Sequence, residues 1–189
     1  LDFFRNYLDI VSNAIKEVDF SLLDETARLL RRVRKAGGKI IIAGNGGSAA
    51  LASHVSVDLT KNAGVRAISF NEVDLITCFA NDYGYEKWVE KAIEFYADPH
   101  DMLILISSSG SSRNILNGAV KGRELGLNIV SLSGFSPDNP LRQLGHISFW
   151  VDSSDYNIVE MTHSAWLLSI VDKIIDDNAK NNSLDKEGL

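Results

Sequence analysis

Five short apolar runs recur along the chain: "KIIIAG" (39–44), "RAISF" (66–70), "MLILIS" (102–107), "LNIVSL" (127–132) and "HISFWV" (146–151). Each ends in small or polar residues, and each is the length of a buried strand. Between them the apolar positions fall at helical spacing over 48–62, roughly 85–97, 112–125 and about 155–178. Strands alternating with helices predict an α/β fold, a three-layer sandwich whose five parallel strands are joined by right-handed crossovers. In such a sheet ligands bind beyond the carboxyl ends of the strands, so the chemistry is expected in the loops that follow them.

Two further helical segments precede the first strand, a hairpin within residues 1–36. In the first, Phe4, Tyr7, Leu8, Val11, Ile15 and Val18 form one stripe, and Phe3, Ile10 and Ala14 widen it. Packing within the subunit and packing on a second subunit both remain open for this face. One domain over 1–180 is expected, followed by a polar tail over 181–189, "NSLDKEGL" in its last eight residues.

Charge narrows the partners. Lys and Arg number 19 against 25 Asp and Glu, a net charge of −6, and the one basic cluster is "RRVRK" (31–35). Duplex nucleic acid is therefore not expected as a partner. Cys78 is alone, which excludes a disulfide framework and a thiolate metal site and fits a reducing, cytoplasmic compartment. The apolar runs are far shorter than the roughly 20 residues of a membrane helix. The opening "LDFFRN" has no basic stretch followed by an apolar one, so an unexported protein is expected, with at least one residue ahead of Leu1.

Two strand-end loops carry candidate chemistry. "AGNGGSA" follows the first strand and leads into a helix opening at Ser48, where free backbone N–H groups favour an anion. The glycines also suit a tight corner with no ligand, and "GNGGSA" satisfies a relaxed dinucleotide fingerprint. A dinucleotide enzyme needs an acid near the end of the second strand. Glu72 comes late for that and is better placed to cap a helix. "ISSSGSSRNI" (106–115) brings Ser107, Ser108, Ser109 and Ser112 to a second helix start, a cradle suited to a phosphate that must later be released. His54 and Asp58 lie one helical turn apart, and Glu160 and His163 repeat the arrangement at i, i+3 in "VEMTHSAW". Such spacing suits a metal or an acid/base pair.

"GNGGSAALASH", "FANDYGYE" and "ISSSGSSRNI", in this order, resemble the sugar isomerase (SIS) domain, and within it the phosphoheptose isomerase group. The resemblance implies a flavodoxin-like strand order and a homotetramer or dimer with sites between subunits. It also implies conversion of sedoheptulose 7-phosphate to a heptose 7-phosphate for surface polysaccharide. It places Asn45, Gly46 and Gly47 against the substrate, Asn81 and Asp82 on sugar hydroxyls, and the four serines on phosphate. His54 matches a zinc histidine, whereas Asp58 stands for a glutamate, Glu160 for a glutamine and Leu168 for a histidine that binds zinc and moves protons. His54, Asp58 and Glu160 are expected to converge, with weak zinc binding, and Glu160 is expected to be the base with His54 or His163 assisting ring opening. The alternative is a SIS module that binds a sugar phosphate without turning it over, as a sensor or assembly partner.

Overall fold

The computed structural model describes the backbone of residues 1–187 and side chains as far as 180. Two helices, α1 (Asp2–Lys16) and α2 (Phe20–Lys35), lead into an alternating core. That core runs β1 (Ile40–Ala43), α3 (Gly47–Lys61), β2 (Ala67–Ser69), α4 (Val73–Tyr83), α5 (Trp88–Tyr96), β3 (Met102–Ile106), α6 (Arg113–Glu124), β4 (Asn128–Ser133), α7 (Pro140–Leu144), β5 (Ile147–Trp150) and α8 (Tyr156–Glu187). All five strands pair in parallel in the order β2-β1-β3-β4-β5, the flavodoxin-like order. Chain reversal between β1 and β3 puts a switch point between them, with the glycine corner on one side and the serine loop on the other.

The period of two in each strand divides the interior into two layers. Ile40, Ile42, Met102, Ile104, Val130 and Phe149 face a core closed by α2, α3 and α8. Ile41, Ala43, Leu103, Leu105 and Ile129 face a second core closed by α5 and α6, with Trp88, Val89 and Ile93 among its members. Burial on both faces explains why the strands read as unbroken apolar runs.

Helix ends follow local chemistry. Asp19 opens α2 by accepting the Ser21 amide at 2.9 Å. Asn139 opens α7 by accepting from the Arg142 amide, with Pro140 at the first helical position. Helix α3 begins at Gly47, one residue before the expected Ser48, because Gly46 takes a left-handed φ of 56° that a side chain would resist. Glu72 does stand at the start of α4, but its side chain makes no capping hydrogen bond.

Helix α8 continues past the expected end near 178, so the segment read as a polar tail is helical as far as Glu187, and residues 188 and 189 lie outside the described residues. Helix α1 leans on α8: the Trp166 indole donates to the Ile15 carbonyl at 2.9 Å, and Val11 is buried. Ala14 and Val18 also pack against the core, whereas the N-terminal part of the stripe is left uncovered by this chain. Phe3, Phe4 and Leu8 are 72, 68 and 60% exposed.

Candidate active site

A polar cavity of about 300 Å³ opens at the carboxyl ends of β1 and β3. Its lining is Asn45, Gly46, Gly47, Ser48, Ile106, Ser107, Ser108, Ser109, Ser112, Tyr156 and Glu160. The two strand-end loops are thus brought to one place, as their sequence implied. None of these lining residues is Lys or Arg, and Glu160 is the one carboxylate.

The serine loop is built to leave donors free. Ser107 donates its hydroxyl to Ser112 at 3.0 Å, and Ser112, although it precedes α6, makes no side-chain cap. Ser108 is 5% exposed, and among the described residues its hydroxyl has no partner. A buried, unpaired hydroxyl costs free energy unless a ligand answers it. The loop is clamped from β4: the Gly134 amide donates to the Ser108 carbonyl at 2.8 Å. Gly110 turns with φ of 66°, and a Cβ there would strike the Asn139 side chain. Asn139 is buried and donates to the Ser133 hydroxyl and the Ser136 carbonyl, so the cradle is held by a second crossover.

The glycine corner is held by residues the sequence motifs did not single out. Asn45 and Asn114 exchange side-chain hydrogen bonds, Asn45 Nδ2 to Asn114 Oδ1 at 3.0 Å and Asn114 Nδ2 to Asn45 Oδ1 at 2.8 Å. The Tyr85 hydroxyl also donates to Asn45 Oδ1, at 3.1 Å. Glu160 reaches the cavity from the second turn of α8 and lies against Gly47, where a Cβ would collide with its carboxylate. A side chain at Gly47 would therefore displace the Glu160 carboxylate. Tyr156, on the same helix, packs against Phe135 with ring centroids 4.9 Å apart and the ring planes tilted by 59°, and Phe135 is held at a φ of 58°.

The acid/base candidates separate. His54 Nε2 lies 3.2 Å from Asp58 Oδ2 on an exposed side of α3, and neither residue lines the cavity. The expected convergence of His54, Asp58 and Glu160 is not present in one chain. Glu160 sits at the start of α3, and His54 is seven residues further on, about 10 Å along the axis. Zinc asks for three or four N, O or S donors within about 2.0–2.3 Å of one point. Among the described residues no three His, Cys, Asp or Glu side chains come together in that way. Leu168, which the resemblance set where the family has a zinc histidine, is partly buried against the core and offers no donor. The donors of this chain alone do not fit zinc.

His163 is also set apart from the cavity. It is fully buried, and its Nε2 lies 3.1 Å from the Ser133 carbonyl. Burial pushes the imidazole down to about 4, against the opposing pull of that carbonyl, so the ring is neutral at neutral pH and holds α8 to β4. Asn81 and Asp82 sit on the last turn of α4, exposed and hydrogen-bonded to each other at 2.9 Å, and they do not reach the cavity within one chain.

A family model described as SIS domain matches residues 2–134. The phosphoheptose isomerase of Helicobacter pylori (strain P12) is 34% identical over 148 residues, 75% of this chain and 77% of that protein. A probable phosphoheptose isomerase of Thermoplasma volcanium is 28% identical over 178 residues, covering 90% of this chain and 89% of that one. The solved structure of a phosphoheptose isomerase from Francisella tularensis superposes with a TM-score of 0.84 at 24% identity, covering 93% and 97% of the two chains, a likeness of fold.

Proposed function

Because the chain belongs to the SIS domain family, and within it to the phosphoheptose isomerases, we propose that it converts sedoheptulose 7-phosphate to D-glycero-D-manno-heptose 7-phosphate, feeding surface polysaccharide synthesis. One observation carries this reading: Glu160 shares a cavity of about 300 Å³ with a serine cradle and the starts of two helices. Hydroxyls of Ser107, Ser108, Ser109 and Ser112, with the first amides of α6, hold the phosphate. Asn45, Gly46, Gly47 and Ser48 face the sugar. A ketose/aldose conversion needs a base beside two adjacent carbons and a place for the proton between them. Glu160 is the cavity's carboxylate and takes that role, with the proton leaving one carbon and returning to the next. No step is routed through zinc, since this chain's donors do not assemble a site for it.

The exposed stripe of α1 supports a homo-oligomer, dimer or tetramer, in which a second copy covers Phe3, Phe4 and Leu8. Sites between subunits would then bring Asn81, Asp82 and the His54–Asp58 pair into play from a neighbour. No described helix is long and apolar enough to cross a membrane, and we place the protein in the cytoplasm on the strength of its free Cys78 and its family.

The alternative is a sugar-phosphate-binding module without turnover, and the separation of His54, Asp58 and Leu168 from the cavity favours it. Turnover decides between the two. Wild-type protein is expected to interconvert the two heptose phosphates with or without chelator, Glu160→Gln is expected to bind substrate and convert none, and Ser109→Asp is expected to lose binding by placing a charge beside the phosphate. Binding without conversion by wild type, in chelator and in added zinc alike, would make it the non-catalytic module.

A further inference from the structure

We propose that the glycine corner is an oxyanion hole: Asn45, oriented by Asn114 and Tyr85, donates its amide to the substrate carbonyl oxygen as that oxygen becomes an enediolate. The inference rests on the isomerase reading and assigns the electrophilic half of its chemistry. An amide side chain has two donor hydrogens and an oxygen that accepts twice. Asn45 Oδ1 is filled from two sides, by Tyr85 at 3.1 Å and Asn114 at 2.8 Å, and Nδ2 spends one hydrogen on Asn114 at 3.0 Å. One N–H is left on a residue that lines the cavity. With the hydrogen bonds running in this sense, the end of the Asn45 amide left available is a donor. Beside it lies the Gly47 amide, which as the first residue of α3 has no acceptor in its own helix. The Glu160 carboxylate lies against the same glycine. Two donors and one base therefore meet where the carbonyl and its neighbouring carbon must sit.

The step balances without a co-reactant. In the open-chain ketose, Glu160 takes a proton from C1. The C1–H electron pair becomes the C1=C2 double bond, and the C2 carbonyl pair moves onto O2, where Asn45 and Gly47 receive the charge. The O1 proton then passes to O2, the carbonyl re-forms at C1, and C2 takes the proton back from Glu160. Donors aimed at the charge that develops stabilise the transition state more than the ground state, and removing one such donor costs on the order of 10²–10³ in kcat. Asn114 has a second effect. It sits in the first turn of the helix that carries the serine cradle, so its pairing with Asn45 fixes the spacing between the carbonyl site and the phosphate site.

The test separates kcat from KM and uses a phosphorylated sugar hydroxamate as a planar, anionic mimic of the enediolate. Asn45→Ala is expected to lower kcat on the order of 10²-fold, with KM nearly unchanged because the cradle is intact, and to weaken the mimic by a similar factor. Tyr85→Phe, a change at an exposed residue, removes only the orienting hydroxyl and is expected to lower kcat about 10-fold, the worth of one well-placed hydrogen bond. Full kcat in Asn45→Ala, or a loss of kcat with no loss of affinity for the mimic, would overturn the assignment while leaving the isomerase in place. A wild type that interconverts no ketose and aldose phosphate would remove the reaction and the oxyanion hole together.

Discussion

Acidification should loosen this fold through one buried ring. His163 is held at about 4 by its surroundings, whereas a histidine in an unfolded chain titrates near 6.5. Between those values the unfolded chain binds a proton that the native state refuses, so stability rises with pH in this window. The contribution is fully present above about pH 6.5 and is lost as pH falls toward 4. At about 1.4 kcal/mol for each pH unit, the separation amounts to roughly 3 kcal/mol. Carboxylates also weaken the fold in acid, so the comparison is with His163→Gln, whose amide can still donate to Ser133 but does not titrate. Urea unfolding of both proteins from pH 8 to pH 4 gives the difference in stability directly. That difference is expected to be flat above pH 7 and to shift against the wild type by roughly 3 kcal/mol at pH 4. Parallel curves across the whole range would show that His163 is not carried uncharged in the native state.

Two other substitutions probe separate parts of the molecule. Gly47→Ala puts a methyl group onto the Glu160 carboxylate; kcat/KM is expected to fall on the order of 10²-fold while the melting temperature holds, and steady-state kinetics with thermal melts checks both. Phe4→Asp places a charge on the uncovered α1 stripe and is expected to convert an oligomer to monomer at micromolar concentration in sedimentation velocity; a wild type that is already monomeric would refute the assembly.

The parallel sheet was legible because both faces of β1 and β3 are buried, which writes "IIIA" and "MLILI" as unbroken apolar strings, and every strand falls within one residue of its expected bounds. Helix α7 was not legible, since five residues carry too little periodicity, and α4 buries no residue fully. The cradle and glycine corner were visible as local motifs. Asn114 and Tyr85 were not, because their role exists only through contact with Asn45, which lies 69 and 40 positions away in sequence. Tyr156 gave no motif at all. The i, i+3 spacing of Glu160 and His163 misled for a geometric reason: three residues turn a helix by about 300°, leaving the two side chains roughly 60° apart. That was enough to send Glu160 into the cavity and His163 onto the carbonyl of β4.

The absence of Lys and Arg from the cavity wall has a kinetic corollary. A chain with a net charge of −6 offers a phosphorylated sugar no long-range attraction, and the dipoles of hydroxyls and helix-end amides fade with distance faster than a charge would. Ligand encounters are then governed by diffusion and orientation, so the association rate should not climb as ionic strength is lowered and the Debye length grows beyond its physiological ~8 Å. Discrimination falls to the last few ångströms, where a tetrahedral oxyanion either matches the fixed donors or does not, and other anions of the same charge but different shape are turned away at no cost in screening.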